Sequence, residues 1–178
     1  MANTTFSGPV ISKNGFITTG PGATKTINST GLGASGLALT VNNHAGRILI
    51  SQDADGIYAL PSINVNANGA SAGDNDFNNL NNIGATFTFF VETAATDMDI
   101  LTDGTDKFKG AIMIGVDDGS KKAFVPGASN DVITMNGSTK GGIVGSVVSF
   151  TAIDTATYMV HNSLLIGSGT IVTPYADA

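Results

Sequence analysis

The stretch Ile112-Met113-Ile114-Gly115-Val116-Asp117-Asp118-Gly119-Ser120-Lys121-Lys122-Ala123-Phe124-Val125 decides the fold class. An apolar, largely β-branched run enters an Asp-Gly pair, and a second short apolar run leaves it. Glycine after an acid or amide supplies the positive-φ corner of a type I′ or bulged hairpin loop, and branched side chains sit better on a pleated strand than in a helix. The same pair recurs as Asn14-Gly15, Asp55-Gly56, Asn68-Gly69, Asp103-Gly104 and Asn136-Gly137. Ile48-Leu49-Ile50 precedes one of these and Ile57-Tyr58-Ala59-Leu60 follows it, so hairpins are the economical reading of the series.

Outward from these turns, alternation of period two marks strands with one apolar and one hydroxylated face. Leu37, Leu39 and Val41 alternate with Ala38, Thr40 and Asn42. Phe87, Phe89 and Val91 alternate with Thr86, Thr88 and Phe90. Val148, Phe150 and Ala152 alternate with Ser149 and Thr151. Phe90 falls on the face opposite to Phe87 and Phe89, and if exposed there it is an interface candidate. Glycine-free windows at 85–103 and 146–166 are rich in Thr, Val, Ile and Phe and favour strands. A short helix over Asp76 to Ile83 is the one helical candidate. The expectation is an all-β chain, an antiparallel β-sandwich or barrel.

Composition agrees. Asp occurs thirteen times against the single Glu92, and Gly 23 times in 178 residues; Asp favours caps and turns, and Gly weakens helices. Charged residues make up 12%, about half the ~25% usual for soluble domains. Hydroxyls and amides replace them, which lets a surface meet neighbours without desolvating many charges. A net charge of −6 and one arginine, Arg47, exclude a nucleic-acid partner, since phosphates must be neutralised by Lys and Arg. The absence of cysteine removes disulfides, zinc–thiolate sites and thiol catalysis. No apolar run approaches the ~20 residues of a spanning helix, and Met1 to Phe6 lack a signal-peptide pattern, so no membrane is expected.

Residues 1–30, broken by Gly20-Pro21-Gly22, read as an N-terminal arm or first hairpin, with residues 31–178 as the body. The segment Asn64–Asn82, loaded with Asn, Gly, Ala, Ser and Asp, reads as a long surface loop.

Motifs that carry chemistry are weak. Gly31-Leu32-Gly33-Ala34-Ser35-Gly36 has the G-x-G-x-x-G spacing, but a dinucleotide site needs a strand before it and a helix opening within it. Here a Ser/Thr/Asn stretch precedes and an alternating run follows, so it reads as a glycine turn. Asp74, Asp76 and Asn78 open like a calcium loop, yet Asn79 and Ala85 stand where glycine and the bidentate Glu belong; Asp97, Asp99 and Asp103 carry Leu101 at a ligand position. His44 and His161 are the only histidines, and no G-x-S-x-G elbow accompanies them. One Glu and no Trp make a poor glycosidase. The chain is therefore expected to be no enzyme, with no cofactor, metal or catalytic residue.

Both ends resemble a known group. Asn3-Thr4-Thr5-Phe6-Ser7-Gly8-Pro9-Val10, with Ser12 and Asn14-Gly15-Phe16, is similar to the opening of small virion structural proteins of tailed phages of marine bacteria and cyanobacteria. Gly145-Ser146-Val147-Val148-Ser149-Phe150, Tyr158-Met159-Val160, Ile166-Gly167-Ser168-Gly169-Thr170 and Thr173-Pro174-Tyr175 resemble their close. Ile11 and Tyr158 depart from that group, which often has a basic residue and Trp there. The resemblance implies a head decoration or cement protein, made in the host cytoplasm, placed on the outer capsid surface of the virion and assembled as a homotrimer. Its partner would be the major capsid protein, reached by an N-terminal arm through strand addition. Phe6, Pro9, Val10, Phe16 and Ile17 are the expected contact residues. The alternative is a receptor- or glycan-binding knob of a phage fibre or tail.

Overall fold

A computed structural model describes residues 23–63 and 82–177. Its strands are β1 (Thr24–Ile27), β2 (Leu37–Ala38), β3 (Ile48–Ser51), β4 (Ile57–Ala59), β5 (Thr86–Val91), β6 (Met98–Leu101), β7 (Lys107–Gly110), β8 (Ile112–Gly115), β9 (Lys121–Phe124), β10 (Val132–Met135), β11 (Val147–Asp154), β12 (Thr157–Ile166) and β13 (Tyr175–Ala176). They form two sheets. The large one runs β1-β3-β5-β11-β12-β8-β9, with β7 also paired to β12; the small one runs β13-β10-β6-β4-β2. The all-β class read from the sequence is the observed one, and of the two expected forms, sandwich or barrel, the chain takes the two-sheet sandwich; the expected purely antiparallel pairing is not found.

Pairing within the sheets is mixed. β5, β11 and β12 are successively antiparallel, as are β8 with β9, and β6, β10 and β13. β1, β3 and β5 are parallel, as are β2, β4 and β6, and β12 runs parallel to β7 and β8. The cause lies in the connections. From β1 to β6 the chain changes sheet at every step, so it returns to each sheet in the direction it left, like three turns of a flattened coil.

The Asx-Gly pairs explain the change. Asp118-Gly119 closes the β8–β9 hairpin, as expected. Asp55-Gly56, Asp103-Gly104 and Asn136-Gly137 instead turn corners from one sheet to the other. Gly104, Gly119 and Gly137 hold positive φ and Gly56 does not; a positive-φ glycine permits a sharp bend, but where the chain goes next depends on which side of the strand has a partner. Gly137 (φ +65°) shows how tight such a corner is: a Cβ there would lie 2.1 Å from the Ala95 carbonyl oxygen.

Between the sheets, alternate side chains meet. Phe87, Phe89, Val91, Val148, Phe150 and Ala152 are all buried, as their alternation requires. A chain of aromatic contacts ties the layers. Tyr58 on the small sheet meets Phe89 at 5.7 Å, Phe89 meets Phe150 edge-on at 5.8 Å, Phe150 meets Phe108 at 5.3 Å, and Phe108 meets Tyr175, back on the small sheet, at 6.5 Å. Burial raises the Tyr58 hydroxyl to about 12, and that hydroxyl shares a 2.8 Å hydrogen bond with Ser51 Oγ.

The Leu37–Val41 alternation breaks after Ala38. Thr40 Oγ1 accepts from the Asn43 N–H, and Val41–His44 forms one helical turn, a local side-chain bond competing with the ladder. Of the expected arm, Thr24–Ile27 is the edge strand β1 of the large sheet. Residues 1–22, with Phe6, Pro9, Val10, Phe16 and Ile17, lie outside the described residues, as do 64–81 of the long loop and most of the Asp76–Ile83 helix candidate. Asn82 Nδ2 donates to the Ser62 carbonyl at 2.8 Å, joining the two ends of that loop.

Candidate contact faces

The large sheet hides one face in the core, and strand register puts three ordered rows on the other. In the first, Thr26, Ile50, Phe90, Val147, Leu164, Met113 and Ala123 stand side by side across seven strands. Leu164 is 53% exposed and Met113 44%, while Ile50, Phe90 and Val147 are half-buried. In the second row stand Thr24, Ile48, Thr88, Ser149 and His161, and in the third Thr86, Thr151, Met159 and Lys109.

Hydroxyls in the second and third rows are bonded to one another. Thr88 Oγ1 and Ser149 Oγ lie 2.9 Å apart, Thr86 Oγ1 and Thr151 Oγ1 2.7 Å, and Thr151 Oγ1 is 2.8 Å from His161 Nε2. Such cross-strand pairs stiffen a sheet. The face therefore carries an apolar stripe beside a polar ladder whose one charged member is Lys109.

Phe90, the interface candidate of the sequence, lies within the stripe. Leu164 and Met113 were not foreseen, and Leu164 has a specific cause. Asn162 adopts φ 45°, the one positive φ outside glycine among the described residues. There β12 carries an extra residue, so Val147 pairs with Leu164 while Ser149 pairs with His161. This bulge reverses the alternation beyond it, turning Leu164 outward and burying Leu165.

The other sequence candidates are dispersed. The glycine-rich run 31–36 is a short 3₁₀ turn, Gly33–Ser35, between β1 and β2, with no long helix to face a pyrophosphate. It borders a hollow of about 260 Å³ with Ser29, Asp53, Asp55 and Ile57. Asp53 accepts from the Ser29 N–H (3.0 Å), Ser29 Oγ (3.0 Å) and Thr30 Oγ1 (3.2 Å). Burial pushes its carboxyl upward, but the Asp55 side chain and these donors outweigh that and leave it below the ordinary value. Asp97, Asp99 and Asp103 do not gather: Asp99 lies on β6, and Asp103 Oδ1 is engaged by the N–H groups of Thr105 and Asp106. Among the described residues no three His, Cys, Asp or Glu are placed to share a metal ion. His44 is buried with Nδ1 turned to the Thr40 backbone, and His161 sits in the hydroxyl ladder on β12, an inner strand of the large sheet.

Comparison with protein-family models, curated proteins and solved structures finds no match to this chain.

Proposed function

We propose that this chain is a non-enzymatic virion structural protein of a tailed phage, a head decoration or cement subunit that binds the major capsid protein on the outer shell as a homotrimer. The observation that carries the reading is the outer face of the large sheet, where a stripe of half-buried Phe90 and exposed Leu164 and Met113 runs beside self-satisfied hydroxyls. Apolar area of this kind on a strand face favours association. A chain with only 12% charged residues loses little by desolvation on contact, and many copies on a symmetric shell multiply modest contacts through avidity. The end segments that resemble phage virion proteins point the same way. Phe6, Pro9, Val10, Phe16 and Ile17 are the arm's contact residues in this reading.

A glycan-binding knob is the second reading, favoured by the long 64–81 segment whose ends are joined at Ser62 and Asn82. Gold-labelled antibody against the recombinant protein, applied to purified particles, separates the two. Label over the shell supports decoration; label confined to fibre or tail tips refutes it. Deleting residues 1–18 should abolish binding to undecorated heads and leave a folded body, and normal binding by the truncated protein removes the arm from the contact.

A further inference from the structure

Ten large apolar side chains are exposed among the described residues, and five of them lie on strands: Ile48, Met113, Ile153, Met159 and Leu164. All five stand on the outer face of the large sheet, and the strands of the small sheet carry none. Exposed apolar area gathered on one sheet face points to a face that meets another surface. Pairing along the free edges of the large sheet is opposed instead, because Lys25 stands on β1 and Lys121 and Lys122 on β9, and charged edge strands resist strand addition.

Register decides what this face fits. Phe90, Val147, Leu164, Met113 and Ala123 stand abreast on β5, β11, β12, β8 and β9, with β12 in the middle. β5, β12 and β8 run in the same direction. Two residues further on, the next row therefore holds Glu92 just past β5 and, opposite Gly115, Lys121 on β9; Gln52 Nε2 donates to Glu92 in that row. An anion and a cation thus stand two strands to either side of β12. A half-turn about an axis along β12 exchanges those sides. It sets Glu92 over the Lys121 of a second copy, bulky Phe90 over small Ala123, Val147 over Met113, and Leu164 over Leu164. The face is complementary to itself in charge and in size.

Its extent is also sufficient. Five strands at ~4.8 Å and four rows, from Glu92 to Thr86, at ~6.8 Å cover about 24 by 27 Å. Two copies meeting there bury roughly 1,300 Å², within the ~1,200–2,000 Å² of a specific interface. Facing sheets cross at up to ~30°, which displaces the outermost pairs by about 5 Å, a gap that long Glu and Lys side chains span.

We propose that two copies of this chain pair in solution through the outer faces of their large sheets, about a two-fold axis along β12 with Leu164 on it. The pairing rests on this face and not on the decoration reading; under that reading the copies part when the shell takes the face, and the trimer forms there.

Sedimentation equilibrium of the full chain should give twice the mass of one chain. Leu164→Asp puts like charges on the axis and should raise the dissociation constant at least about a hundredfold with unchanged circular dichroism. Glu92→Lys should raise it roughly tenfold, and adding Lys121→Glu to the same chain should restore it to within about threefold. The chain contains no cysteine, so a short bismaleimide should join two chains through Leu164→Cys and none through Ala38→Cys on the small sheet. A one-chain mass at the highest soluble concentration, a three-chain mass, a pair indifferent to Leu164→Asp, or a Glu92→Lys defect that Lys121→Glu leaves in place overturns the proposal. Each of these leaves shell labelling and head binding untouched, so the two readings fall separately.

Discussion

His44 is the residue whose environment makes the clearest demand on pH. It is 6% exposed, and its Nδ1 lies 2.9 Å from the Thr40 nitrogen and 3.2 Å from the Thr40 carbonyl oxygen. Burial first, then the charges of Lys25 and Arg47, outweigh the Thr40 backbone hydrogen bond and hold its pKa below 6.5, which favours the neutral ring in the folded state. The unfolded chain then binds more protons below pH 6.5, and stability present above that value is lost as pH falls toward the folded pKa. The melting temperature should drop between pH 7.5 and 5.5, and His44→Gln, which does not titrate, should flatten that dependence in calorimetry. An identical slope in the variant refutes the assignment. Asp106 has the opposite sign: burial, with Asp103 and Asp154 nearby, raises its carboxyl. That cost grows as pH rises through its folded pKa, while its hydrogen bond from the Ile63 N–H (2.8 Å) offsets part of it.

Elements here are defined as much by their irregularities as by their alternation. The bulge of β12 depends on Asn162 holding φ 45°, where asparagine and glycine are tolerated and a branched residue is not. Asn162→Val should cost about 1–2 kcal/mol, whereas Asn162→Gly should leave stability within about 1 kcal/mol; equilibrium urea unfolding distinguishes them. Removing the residue altogether is a different experiment, since a one-residue slip exchanges the two faces of the strand and would drive Leu164 inward and Leu165 out. The Asx-Gly corners teach the related lesson at the scale of connections. Asp118-Gly119 and Asp103-Gly104 look alike in sequence and both glycines hold φ +83°, yet the first returns the chain to its neighbour and the second sends it to the opposite sheet. Local turn chemistry supplies a bend; its destination is set by which edge is still unpaired.

For the molecule as a whole, the aromatic series from Tyr58 through Phe89, Phe150 and Phe108 to Tyr175 joins both layers. Phe89 and Phe150 have no exposed surface and occupy the middle of that series. Phe89→Ala should destabilise by about 3–5 kcal/mol, through lost transfer energy and the cavity left behind, and denaturant titration measures it. A stability change as small as that of an exposed site would mean the layers are held elsewhere. The Lys107–Asp131 ion pair (2.6 Å) also links β7 to the approach to β10, but with Lys107 29% exposed it is partly screened and adds less than the aromatic packing.

The amino-acid sequence by itself determined the all-β class, the inward faces of β5 and β11, and the β8–β9 hairpin, because alternation and turn residues act over a few neighbours. Tertiary structure alone decided the mixed pairing, the sheet-to-sheet corners and the outward-facing apolar stripe. Phe90, Leu164 and Met113 come from three strands far apart in the chain, and only register, with one bulge at Asn162, sets them in line. A periodicity is a local property; adjacency across a sheet is a long-range one.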